Sequence, residues 1–198
     1  RLHSVDPDGA TERAIALPRV LGGSVVASCH CPEPGLVVHS SGGRVVIGEP
    51  AGGLSERATR WSAVLADAGL GAVASAQIRT DIWLKLMGNI CSNPLSLLTC
   101  ATSDQLVDDP GVGRLFATMM SECLGLVRHL GLTLPTTVEQ RMAQTRQLGA
   151  IRSSMLQDLE AGRGVELDAI LGAPIECARA LGYPVPTLEQ IFALAGLR

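Results

Sequence analysis

Residues 81–102, DIWLKLMGNICSNPLSLLTCAT, decide how the rest of the chain is read. Lys85 is the single lysine among 16 basic residues, and Asn89 and Asn93 are the only two asparagines in 198 positions. A composition that avoids both types yet keeps all three together marks them as a candidate site. Positions four apart on a helix drift by about 40° per step and form one stripe. Ile82, Leu86, Ile90, Leu97 and Leu98 fill much of the remaining helix surface. On a largely buried helix, unpaired polar groups cost about 1–3 kcal/mol for each neutral group and more for a charge. The spacing therefore predicts that the ammonium and the two amides line a cleft or find partners. The competing expectation is a core helix with a snorkelling lysine and two asparagines bonded to nearby backbone. Pro94 removes the donor to the Ile90 carbonyl and predicts a kink there.

The apolar content of 46% is ample for a core, and the aromatic content of 3% means that core is built from Ala, Val, Leu and Ile. Acidic and basic residues are interspersed and the net charge is −3, which argues against a nucleic-acid partner. No apolar run approaches the roughly 18 residues of a membrane span, and no signal-peptide pattern opens the chain. The expectation is a cytoplasmic protein without a membrane partner. The six cysteines, at 29, 31, 91, 100, 123 and 177, show no CxxC spacing, and most read as reduced core residues. Cys29-His30-Cys31 resembles a metal motif. Neighbouring residues of an extended segment face opposite ways, however, and no second ligand pair follows, so no metal is expected.

Along the chain, residues 1–18 read as a loop leading into a short helical or coil segment. Three β-rich runs follow at 20–27, 36–39 and 44–47, with SSGG at 40–43 predicted as a hairpin turn between the last two. A helix is predicted over 54–68 from Trp61, Val64, Leu65 and Ala68, then a short strand at 72–76. From Gln77 onward helices follow one another. Asp109-Pro110 opens one and Pro135 another. Ser154 with Gln157 fits a capping box, a helix begins at Glu166 and ends at Gly182, and Pro186 opens the last. These readings place residues 1–76 in an α/β piece and residues 77–198 in an all-α domain. GLGAVA at 69–74 matches GxGxxA but runs from helix to strand, the reverse of the order that binds a pyrophosphate.

The central stretch, taken with SMLQDLEAGRGVELDAILGAPIECA at 154–178, resembles the C-terminal part of the ketopantoate reductase (2-dehydropantoate 2-reductase) family. That family carries KLxxNxxxNPLxxLT and then SMLQDxxxGRxxExDxINGxxxxxA. VLGG, PGLVVHSSGGRVVIGEP and the SerGluArg before the first helix are also similar, so the resemblance covers nearly the whole chain. It implies the closing part of a Rossmann-like dinucleotide-binding domain, followed by a helical domain like the C-terminal domain of 6-phosphogluconate dehydrogenase. It also implies NADPH-dependent reduction of ketopantoate to pantoate on the route to pantothenate and coenzyme A. The Ala- and Leu-rich last helices suit either the core or a homodimer interface.

Carried over by motif, Lys85 is implied as the general acid, where a developing alkoxide needs a positive charge and a proton. Asn89 and Asn93 are implied to hold the substrate's hydroxyl and carbonyl ends, and Ser154 its carboxylate. Glu166 is implied to pair with Lys85 or to contact the ribose of NADP(H). On their own, Ser154 reads first as an N-cap and Glu166 first as a carboxylate favoured at a helix N-terminus, and only the shared motif favours their functional roles.

The sequence also departs from the pattern. The family's GxGxxG, the βαβ units around it and an asparagine–glycine pair have no counterpart in residues 1–76, so most of the NADP(H)-binding domain is expected to lie outside this sequence. Leu171-Gly172 stands where the family has Asn-Gly, and Pro174 predicts a bend in a helix that is otherwise continuous. Two alternatives follow: a non-catalytic helical association or small-acid-binding module, and a reductase of another branched 2-keto acid. A methyl group shifts pocket discrimination by only about 1–3 kcal/mol, so composition cannot choose among such acids.

Overall fold

A computed structural model describes all of residues 1–198. The chain divides into two compact units, one of Ile15–Trp83 and one of Leu84–Arg198 together with Arg1–Ala14.

In the first unit β1 (Gly22–Glu33) pairs antiparallel with β2 (Leu36–Gly48), and β2 pairs parallel with β3 (Gly71–Ser75). Glu33 faces Leu36, so the hairpin reverses at Pro34-Gly35. Proline presets the first turn position, and Gly35 at φ +86° takes the second, the residue pattern of a type II turn. The turn predicted at residues 40–43 is therefore corrected: β2 runs straight through them. Gly42 at φ +81° lies opposite a register shift between Val26 and Ala27, and a Cβ there would stand 2.5 Å from the Val26 carbonyl oxygen. The glycines supply a β-bulge, which bends a strand without reversing it.

The helix α2 (Glu56–Asp67) is capped by Ser55, whose hydroxyl accepts from the Ala58 N–H. Its buried positions are the small Ala58 and Ser62, whereas Trp61 and Val64 are 55% and 48% exposed. The apolar periodicity predicted the helix correctly. Arg57 of α2 donates to both Glu49 carboxylate oxygens and to the carbonyls of Pro18 and Val20, tying the approach to β1 to the start of the helix. The Arg57 hydrogen bonds to Glu49, with one from the Ser55 hydroxyl, hold the Glu49 carboxyl down at about 2.

The helix α3 (Ile78–Thr99) carries the decisive stretch and continues through Pro94. Met87, Ile90, Cys91, Leu95 and Leu97 are buried along it. α4 (Ser103–Asp108) starts in a capping box of Thr102 and Gln105. α5 (Pro110–His129) starts on Asp109, whose carboxylate accepts from the Gly111 and Val112 N–H groups, and it buries Phe116, Met119, Met120, Cys123 and Leu126. α6 (Val138–Gln147) starts not at Pro135 but at the capping box of Thr137 and Gln140. A side chain that bonds the first free N–H groups fixes the start more tightly than a proline two positions earlier.

In α7 (Ser154–Glu160) the cap is Ser153, whose hydroxyl accepts from the Leu156 N–H; the predicted cap at Ser154 is one residue late. The chain next becomes helical at Leu167, makes a π-turn over Asp168–Gly172, and continues as α8 (Ala173–Ala180). The Ala173 N–H reaches back to the Asp168 carbonyl, just ahead of Pro174. A proline ring crowds the carbonyl four residues earlier, and a locally widened turn relieves that crowding. Glu122 of α5 accepts from the Thr187 and Leu188 N–H groups and so caps α9 (Pro186–Ala195).

The N-terminal segment, with its short helix α1 (Ala10–Ala14), joins the helical unit rather than the sheet unit. Between β3 and the C-terminus the units part at Trp83/Leu84, inside α3, whereas the sequence reading placed its boundary at residue 77. Glu176 of α8 makes the attachment, accepting from the N–H groups of His3 and Ser4 at 2.7 and 2.9 Å and from the Ser4 hydroxyl at 2.8 Å. These bonds favour the carboxylate and hold its pKa at about 2, below the ordinary 4.5. A carboxyl depressed on folding contributes above its unfolded value and loses that contribution as pH falls through the folded one. The Ser4 amide resonance is therefore expected to titrate with a midpoint near 2, and Glu176→Gln to abolish that titration and release the segment at neutral pH.

Candidate active site

Four residues of helix rise about 6 Å, so Lys85, Asn89 and Asn93 occupy successive turns of one α3 stripe. The stripe runs from surface to core: Lys85 is exposed, Asn89 half-buried and Asn93 only 4% exposed. The burial expected of all three thus falls on the amides, while the ammonium sits at the open end. Ser92, between the two asparagines, donates its hydroxyl to the Gly88 carbonyl at 2.8 Å and lies 3.4 Å from Asn93 Oδ1. No group of three or more His, Cys, Asp or Glu side chains is arranged to hold a metal ion. Cys29 lies opposite His39 in the hairpin and is exposed, as is Cys31.

Ser154 and Glu166 belong to the same unit as the α3 stripe. Because Ser153 caps α7, Ser154 is an exposed first-turn residue whose hydroxyl is spared that duty. Glu166 is exposed at the start of the π-turned helix, where its carbonyl accepts from the Ile170 N–H.

Sequence reasoning missed Arg141 of α6. Its Nη2 lies 2.6 Å from where a Cβ on Gly88 would stand, so the guanidinium is laid against α3 three residues beyond Lys85. Nη1 donates to Gln144 Oε1 at 2.7 Å, while Nε is buried without a partner. Burial lowers the Arg141 pKa, and burial raises those of the neighbouring Cys91 and Cys123 thiols, the latter to about 12. The available clue was Gly88 itself, since glycine inside a helix costs about 1 kcal/mol relative to alanine.

GLGAVA links α2 to β3, so it leads out of a helix and aims no helix N-terminus at a pyrophosphate. Those glycines do not fit a dinucleotide cradle. The ammonium and amides of α3 suit the oxygen atoms of a small polar ligand.

The fold is a small three-stranded sheet followed by a mostly helical region, with its candidate site on the long helix that joins them. Residues 77–198 match the family model described as "Ketopantoate reductase PanE/ApbA C terminal", and the chain belongs to that family. It is 40% identical over 194 residues to a 2-dehydropantoate 2-reductase of Mesorhizobium japonicum, covering 98% of this chain and 60% of that relative. Among solved structures, a candidate ketopantoate reductase from Ralstonia solanacearum MolK2 superposes with a TM-score of 0.94 at 40% identity, covering 100% of this chain and 60% of that one. A 2-dehydropantoate 2-reductase from Methylococcus capsulatus gives 0.86 at 30% identity, covering 96% and 62%. The chain spans about 60% of the length of the curated relatives it matches. No helix is long and apolar enough to cross a membrane.

Proposed function

We propose that this chain supplies the substrate-binding and proton-donating part of an NADPH-dependent 2-dehydropantoate 2-reductase, acting as a homodimer in the cytoplasm. The observation that carries this reading is the 40% identity to the M. japonicum relative across 98% of the chain. When bound, the dinucleotide supplies hydride to the carbonyl carbon of the 2-oxo acid. Lys85 gives its proton to the carbonyl oxygen as negative charge develops there, and its positive charge stabilises that oxygen until the proton has moved. Asn89 and Asn93 donate and accept at the substrate's hydroxyl and carbonyl ends, and their fixed places on α3 set its orientation. Ser154 donates to the carboxylate. Glu166 holds the Lys85 ammonium or the nicotinamide ribose.

The test is consumption of NADPH by the intact enzyme with 2-dehydropantoate as substrate and 2-oxoisovalerate, which lacks the hydroxymethyl group, as comparator. A preference for 2-dehydropantoate in kcat/KM is expected. Equal or reversed preference would move the assignment to another branched 2-oxo acid, and no turnover with either would remove it.

A further inference from the structure

We infer that the Arg141 guanidinium, laid over Gly88 beside Lys85 and Ser92, is a carboxylate-binding group of the substrate site. This rests on the reductase reading above and adds to it a cation that distinguishes a 2-oxo acid from an uncharged ketone.

Three observations support the assignment. First, Arg141 is half-buried, and its one hydrogen-bond acceptor is the neutral Gln144 amide. Its Nε has no partner. An arginine so placed ordinarily finds a carboxylate, because a planar fork left unpaired out of water is costly. Five other arginines do so: Arg57, Arg146, Arg152, Arg163 and Arg179 all form ion pairs. Glu122, an acid whose charge reaches Cys91, is already occupied by the N-terminus of α9.

Second, the guanidinium is located by a missing side chain. Any residue other than glycine at 88 would occupy the space of Nη2. Third, Gly88 borders the stripe at Lys85. Residues three and four apart on a helix are surface neighbours, and Gly88 has Lys85 on one side and Ser92 on the other. A 2-oxo acid has its carboxylate one bond from its ketone. A cation beside Lys85 can therefore take the carboxylate while Lys85 serves the ketone oxygen. Nη2 is the donor left for a carboxylate, to which it can make one charge-assisted hydrogen bond.

The experiment compares 2-dehydropantoate with its lactone, which has the same carbon skeleton but no charge. Arg141→Met in the intact enzyme is expected to raise KM for the acid about 10- to 100-fold, the worth of a charge-assisted hydrogen bond, and to leave the lactone unaffected. Gly88→Ala gives a second, independent readout. Its Cβ displaces the guanidinium, so acid affinity should fall, while alanine in a helix should leave Tm unchanged or raised. Unchanged acid affinity in Arg141→Met, or parallel loss of acid and lactone, overturns the inference. The Arg141 Nε–H resonance, assigned by its disappearance in Arg141→Met, separates the two proposals. If it shifts saturably with 2-dehydropantoate and not with the lactone while no reduction occurs, the site stands and the reaction falls. If it does not shift, the site falls whatever the enzyme reduces.

Discussion

Lys85→Ala is expected to lower kcat of the intact enzyme by about 10²–10⁴-fold, the usual contribution of a positioned general acid. That corresponds to about 3–5 kcal/mol of transition-state stabilisation. KM for 2-dehydropantoate should move much less, because the proton is needed at the oxygen only as hydride arrives. Lys85→Arg should not restore turnover: a guanidinium keeps the charge but does not release its proton in the working pH range. Asn89→Ala should show the opposite division, with a larger effect on KM than on kcat, since an amide that orients the bound acid acts in ground state and transition state alike. Turnover within twofold of the wild type in Lys85→Ala would refute the assignment. The isolation of one lysine and two asparagines on one helix would then be left without a chemical reason.

The largest expected stability effect is at Phe116. It is one of two phenylalanines in an aromatic-poor chain, and it is fully buried on α5. Met119 and Met120, also fully buried, follow it on the same helix. Removing a buried phenyl ring costs its transfer free energy and leaves a cavity that surrounding side chains only partly close. Phe116→Ala should destabilise the helical unit by about 3–5 kcal/mol, read from urea unfolding followed by α-helical circular dichroism. Leu197→Ala is the control, because Leu197 is 86% exposed and its truncation should stay within about 0.5 kcal/mol. Equal effects at the two positions would mean that α5 does not form the centre of the core.

The helical region was largely legible because its signals are local. Asp109 and Pro110 announce α5, and Gly131 at φ +76° stops it. The apolar period of Phe116, Met119, Cys123 and Leu126 marks the buried face. The stripe of Lys85, Asn89 and Asn93 needs only the helix repeat to be recognised. Where two caps compete within a residue or two, local reading slips, as it did between Ser153 and Ser154 and between Pro135 and Thr137. In the sheet unit it placed the hairpin turn at residues 40–43, because two glycines serve a bulge as well as they serve a turn.

The sequence by itself thus determined the run of helices, the long helix that carries the candidate residues and the family, since each depends on residues close together or on a motif read in order. Tertiary structure alone decided the attachment of His3 and Ser4 to Glu176 and the guanidinium of Arg141 against Gly88. Those contacts join residues far apart in the chain, and no periodicity records which distant side chain will fill the space that a missing Cβ leaves open.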